Sequence, residues 1–516
     1  MEKQNFDRRE FLKLLLMLPL AGKRSPTRIT PNSLLYPAAQ PDQPNILFFL
    51  FDTLSARNIS LHGYPRETMP NLARFAEKAN VYHQHHAGGN WTPSGTASLL
   101  TGTYPWTHRS MSIYSEVIES FADKNLFHIT NPDYHTAAYT QNFLVETMLQ
   151  QFKDQIDDLI NMTEGGLYSS RPDSDLFIND FGSGFWGQNI AQGTWIFPAS
   201  SPFLSILNET LYTIKYRRMQ RELKDIYPDW ISMVLPGVHV FLDETISWLL
   251  DQIKNTPLPT MSYYHFFAPH HPYSPRAEFY HLFDDDFKPP EKPIHTFTDG
   301  SNYDFLLPER RAYDQFIANV DHDFNLVLEL IDELGMMENT YIIFTSDHGE
   351  SFERGVWKHT NRVLYEPLTH IPLLIHKPGQ TTREDFFTPT SAVDVLPTIC
   401  EITGKPIPEW IEGEVLPGFR TEPVDLQRPI FSVEAKENNK FGPLTIATVA
   451  MIKWPYKLIH YFGYEELPYH FELYNLEQDP EELNDLYPAS PHYAADLKST
   501  LLAKIEQANK NLGKIN

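Results

Sequence analysis

The stretch that most limits the fold is PNILFFLFDT, residues 44–53. Its apolar side chains run unbroken from Ile46 to Phe51 and then meet an acid, Asp52. A half-exposed strand alternates apolar and polar residues, whereas an unbroken run suits a strand covered on both faces of a parallel sheet. NTYIIFTSDHGE, residues 339–350, repeats the design and ends in Asp347 and His348. MPNLARFAEKAN reads as an amphipathic helix after the first strand. RRAYDQFIANVDHDFNLVLELIDELG, residues 310–335, reads as a long one, with Gly335 placed to stop it. IPLLIHKPG is a further short strand closed by Gly and Pro. This alternation predicts an α/β domain with a mostly parallel sheet. Sites in such sheets lie outside the carboxyl ends of the strands, where Asp52, Asp347 and His348 stand.

Beyond residue 416 the texture changes. IFSVEAK, TIATVAMIKWPYKLIHYF and HFELYNL read as antiparallel strands, and PHYAADLKSTLLAKIEQANKNL as a closing amphipathic helix. A chain of 516 residues is long for one core. The expected division is a leader and linker over 1–43, a catalytic α/β domain over 44–415 and a C-terminal α+β domain over 416–516. Residues 165–235 mix Gly, Pro and Trp with the basic KYRRMQRELK and read as a surface insertion.

In the leader, DRREFLKLLLMLPLAG sets Arg8 and Arg9 before a short apolar run, which reads as a Tat-type export signal. The expected location is therefore the periplasm, cell envelope or exterior. A net charge of −24, from 42 basic and 66 acidic residues, argues against a nucleic-acid or anionic-membrane surface. The expected partner is a small-molecule ester or one linked to a glycan or lipid, and no protein partner is implied. The single cysteine, Cys400, excludes an intrachain disulfide and reads as a core thiol.

NWTPSGTASLLTG, residues 90–102, carries hydroxyls at Thr92, Ser94, Thr96, Ser98 and Thr101. Such a cluster either caps a helix, here one expected to begin near Thr96, or holds a nucleophile. The rest of the chain offers chemistry to go with it. HFFAPHHPY contributes His270, and GVWKHTNRVLYEP contributes Lys358 and His359. Two carboxylates and an imidazole at adjacent strand ends suit a divalent cation, against which a hydroxyl loses its proton more readily.

In order and spacing these motifs resemble the sulfatase branch of the alkaline phosphatase superfamily. The likeness covers the strand ending in Asp52, SLLTG, the P-H-x-P-Y of PHHPY, YDQFIANVDHDF, NTYIIFTSDHGE and the tail ELYNLEQDPEELNDL. It implies a large mixed, mostly parallel sheet sandwiched by helices, with a smaller C-terminal α+β domain. It also implies one divalent cation (Ca, Mn, Mg or Zn) held by Asp52, Thr92, Asp347 and His348. Two departures sharpen the expectation. Sulfatases open the SLLTG loop with C-x-P-S-R, whose Cys or Ser becomes formylglycine. Aligned on Leu100-Thr101-Gly102, Thr92 holds that position and Thr96 the arginine's. Formylglycine is therefore not expected, and Thr92 is read as an unmodified nucleophile. Thr53 stands where a second aspartate ligand is usual. Threonine nucleophiles resemble those of nucleotide pyrophosphatases, lipoteichoic-acid synthases and phosphoethanolamine transferases, which act on phosphorus.

The expectation is a metal-dependent hydrolase of sulfate- or phosphate-type esters, favouring phosphodiesters or phosphonate esters. His270 and His359 are placed at the oxyanion or leaving group, and Asn90, Lys358, Arg109 and Arg66 at the anion. Asp321 and Tyr313 read as structural. An envelope phosphotransferase of glycerophosphate or phosphoethanolamine type, and an inactive binding homologue, are the alternatives.

Overall fold

The apolar run forms strand β1 (Asn45–Phe51), buried along its whole length. The computed structural model describes residues 43–516 apart from 132, 170–201, 230, 236, 422, 424, 490, 491 and 516. The expected export signal and residues 170–201 of the expected insertion lie outside the described residues. All described residues belong to one compact unit.

Seven further strands join β1 in the main sheet. They are β2 (Asn80–Tyr82), β3 (His135–Thr140), β4 (Asp158–Leu159), β5 (Thr260–Phe266), β6 (Thr340–Thr345), β7 (Leu373–His376) and β8 (Glu384–Phe386). Their order is β8-β2-β7-β6-β1-β5-β3-β4. Strand β7 alone runs against its neighbours, so the sheet is mixed and mostly parallel.

The lack of alternation in β1 has a direct cause in the layers around it. Leu47, Phe49 and Phe51 pack under α1 (Pro70–Ala76), with α4 (Leu242–Asn255) and α5 (Tyr303–Glu333) on the same side. Ile46, Phe48 and Leu50 pack on the opposite side, against α2 (Thr92–Thr101), α3 (Phe143–Phe152) and α6 (Val395–Ile402). Helix α5 starts earlier than the apolar spacing suggests, because the Asn302 side chain accepts from Phe305 N–H and caps it there. Pro308 then forfeits one backbone bond near the start of the helix without ending it. Asp321, also on α5, accepts from the backbone N–H groups of Asn71 and Leu72 and fixes the entry to α1.

Strands β9 (Ile430–Glu434), β10 (Ala447–Lys453), β11 (Tyr456–Phe462) and β12 (Tyr469–Asn475) form an antiparallel sheet in sequence order. Leu497, Leu501 and Ile505 of α7 (His492–Ile515) cover it. Lys457 of β11 is fully buried, with Nζ 2.9 Å from carboxylate oxygens of both Glu366 and Glu482. Cys400 lies in the main core. Among the described residues, no helix is long and apolar enough to cross a membrane.

Candidate active site

Strands β1 and β6 end side by side, and the loop after each holds the other. Thr53 N–H donates to Asp347 Oδ1 at 3.3 Å, and Leu54 N–H to Ser346 Oγ at 2.9 Å. Thr53 has φ +66°, uncommon for a β-branched residue. Such backbone costs about 1–3 kcal/mol and persists where the surroundings enforce it. Here Tyr313 enforces it: its hydroxyl donates to Thr53 O at 2.6 Å and accepts from Ser55 N–H at 3.0 Å. The turn leaves Asp52 buried at the strand end.

Register supplies a residue that the sequence analysis did not assign. Leu50 of β1 lies opposite His265 of β5, so His265 shares the sheet face of Asp52. His265 Nε2 stands 3.7 Å from Asp52 Oδ2. Ligand atoms of Asp52, His265 and Asp347 all lie within 4.8 Å of one another. Asp52 Oδ1, Asp347 Oδ2 and His265 Nε2 are buried without a hydrogen-bond partner among the described residues. An orphaned buried polar group costs about 1–3 kcal/mol, and three converging on one point fit a cation. His348 adds a fourth donor, with Nε2 3.6 Å from Asp52 Oδ1 and 3.5 Å from Asp347 Oδ2. Its Nδ1 faces Gly349 O at 3.0 Å, so Nδ1 carries the proton and Nε2 the lone pair.

Helix α2 brings the hydroxyl. It begins at Thr92 and not near Thr96, because Pro93 suits the first turn and Trp91 before it is extended. Gly95 lets the helix dock closely, since a Cβ there would lie 2.1 Å from Asp347 O. Thr92 Oγ1 is 3.3 Å from His348 Nε2 and 3.5 Å from Asn142 Nδ2. Asn142, the N-cap of α3, also donates to Asp52 Oδ2 at 2.6 Å. Ser94, Ser98 and Thr101 instead donate to backbone carbonyls of their own turn or helix.

The second wall is histidine. The ring of His359 lies 4.5 Å from that of His348 and 5.0 Å from that of His270. His270 Nδ1 faces His271 O at 2.5 Å, and His359 Nδ1 faces Glu350 Oε1 at 2.9 Å. Burial dominates the electrostatics. It lifts the Asp52 carboxyl to about 6 and Asp347 well above the usual range. It raises Glu350 to about 7. It pushes His265 down to about 4 and His348 well below its ordinary value. His359 falls to about 3, through burial and then the charges of Lys436 and Lys358. The cluster therefore presents neutral imidazole lone pairs and carboxyls that resist ionising, and a bound cation reverses that resistance.

The expected anion contacts divide. Lys358 is half-buried at the rim, its Nζ 3.7 Å over the Trp357 ring. Asn90 is beside Thr92 in sequence, but its amide is committed. It donates to Asn361 O and Val363 O and accepts from Lys436 Nζ at 3.1 Å. Arg109 is corrected to a structural role: its guanidinium donates to the carbonyls of Asn439, Lys440 and Gly442 and is buried there. Arg66 is corrected likewise, being paired with Asp285 and Asp314. Besides His265, the sequence analysis missed Asn142, Glu350 and Lys436. Glu350 was in reach, as the residue that completes S-D-H-G-E.

The Sulfatase family model matches residues 44–405, and the model of the N-sulphoglucosamine sulphohydrolase C-terminal region matches 353–511. Choline-sulfatase of Rhizobium meliloti (strain 1021) is 26% identical over 479 residues, covering 86% of this chain and 82% of that protein. Arylsulfatase K of Bos taurus is 28% identical over 206 residues, 37% of this chain and 36% of that protein. Among solved structures, phosphonate monoester hydrolase of Agrobacterium radiobacter superposes with a TM-score of 0.62 at 19% identity. That match covers 90% of this chain and 96% of the other. The chain belongs to the sulfatase family, and it is an ester hydrolase of that fold.

Proposed function

We propose that this hydrolase uses unmodified Thr92 as its nucleophile and turns over phosphodiesters or phosphonate esters faster than sulfate esters. One observation carries the reading: the Thr92 hydroxyl opens a helix and faces His348 beside the orphaned oxygens of Asp52 and Asp347. The N-terminus of α2 favours negative charge on the Thr92 oxygen and on the anion it attacks. His270 and His359 turn Nε2 away from the acceptors that hold Nδ1. They handle the protons of the leaving alcohol and of the incoming water. Lys358 at the rim attracts the anionic ester.

Formylglycine hydrate can expel sulfate by collapsing to an aldehyde. Thr92 has no such exit, so its ester must be cleaved by water at the central atom. Positioned donors stabilise that second displacement well at phosphorus. The expected result is faster turnover of p-nitrophenyl phenylphosphonate and bis-p-nitrophenyl phosphate than of p-nitrophenyl sulfate. A preference for the sulfate, with Thr92 shown unmodified by mass spectrometry, overturns the proposal.

Asp52, Asp347, His265 and His348 would hold the cation, which when bound supplies Lewis acidity at the Thr92 and ester oxygens. A mixed carboxylate and imidazole set suits Mn²⁺ or Zn²⁺ better than the all-oxygen shells of Ca²⁺ and Mg²⁺. Elemental analysis of purified protein should find one such ion per chain. In His265→Ala its affinity should fall by roughly tenfold or more. Unchanged affinity in that variant removes His265 from the ligand set.

A further inference from the structure

Glu350 has no part in the chemistry described so far, yet it is fully buried within the site. Each of its oxygens is engaged by one group. His359 Nδ1 lies 2.9 Å from Oε1, and the Tyr273 hydroxyl donates to Oε2 at 3.1 Å. Tyr273 is itself locked, packed edge-on against Tyr313 with ring centroids 5.4 Å apart and close to Phe352. The carboxylate therefore cannot swing away from the imidazole. The His359 ring also lies against those of His348 and His270, with centroids 4.5 and 5.0 Å away.

We propose that Glu350 is a positioning residue that fixes the tautomer and direction of His359, so that Nε2 takes the proton of the water that frees Thr92. A carboxylate that accepts Nδ1–H leaves the Nε2 lone pair pointing the other way, into the site. In the step it serves, the water oxygen bonds to phosphorus and one water proton passes to Nε2. The phosphorus–oxygen bond to Thr92 breaks, and its electron pair stays on the Thr92 oxygen. Nδ1–H remains with Glu350 throughout. The inference rests on Thr92 being the nucleophile.

A substrate with a good leaving group separates the two steps, because p-nitrophenolate departs without needing a proton. With p-nitrophenyl phenylphosphonate at pH 8, Glu350→Gln should still form the Thr92 adduct. Water should then cleave that adduct roughly 10²-fold more slowly than in the parent enzyme. The stopped-flow trace should show a burst of about one p-nitrophenolate per chain and then a slow phase. Mass spectrometry should find the adduct on Thr92. His359→Gln should give the same pattern, and the double variant should be no slower than His359→Gln alone. A loss arising only from damaged packing lowers the burst and the slow phase together, and that result overturns the proposal. So does a double variant slower than either single one. If thermal unfolding shows that Glu350→Gln is not folded at the assay temperature, Glu350→Asp makes the same comparison, because its shorter carboxylate falls short of Nδ1. Failure of the underlying reading looks different: Thr92→Ala would keep its activity and no variant would carry an adduct.

Discussion

Thr92→Ala is expected to lose about 10³-fold or more in turnover of every ester the parent enzyme cleaves, while its unfolding temperature stays close to the parent's. The two halves of that result have separate causes. Activity goes because the hydroxyl that faces His348 Nε2 goes, and the neighbouring Ser94, Ser98 and Thr101 are bonded to backbone carbonyls. Stability survives because the Thr92 side chain does not cap its helix. The N-cap is Trp91, without a side-chain bond, and the close contacts of Thr92 Oγ1 are with His348 and Asn142 in the site. Thr92→Ser should keep part of the activity, since it removes a methyl and leaves the oxygen. Parallel kinetics and thermal melts of the three proteins check this. Full activity in Thr92→Ala would remove the nucleophile and with it the proposed two-step cycle.

What could be read from the sequence follows a physical line. β1 and β6 were legible because burial on both faces writes an uninterrupted apolar run, and a strand end is where polar groups first become usable. Asp52, Asp347 and His348 came with those runs. His265 did not, since its role is set by the register of β5 against β1, and within MSYYHFF it reads as one more core residue. Arg66 and Arg109 failed for the opposite reason. A cation in a sequence looks free until its acceptors are visible, and theirs are distant carboxylates and carbonyls. The early start of α2 was missed because five hydroxyls offered several capping positions, and Pro93 decided among them. Lys436 was beyond reach altogether: it follows β9 of the C-terminal sheet and arrives beside Asn90 and Asn361 only through the docking of the two sheets.

That docking makes Lys457→Met the variant with the largest expected effect on stability. Lys457 Nζ lies 2.9 Å from both Glu366 and Glu482, and none of the three is exposed. Burial alone raises the Glu366 carboxyl, yet Lys457 and then His86 hold it well below its usual range. Burial raises Glu482, and the charge of Glu366 adds to that. Removing the ammonium leaves two buried carboxylates with no cation between them, a loss of about 3–5 kcal/mol at pH 8. The pH dependence of the deficit identifies its origin. Without Lys457, at least one carboxyl has a folded pKa above its unfolded value, so the folded variant binds more protons than the unfolded chain as the pH falls. Its stability then rises relative to the parent's, and the deficit should shrink between pH 8 and pH 5.5. Thermal unfolding of both proteins across that range reads the difference directly. A deficit that stays constant or grows toward acid pH would place the cost in lost packing around β11 and not in the two unpaired carboxylates.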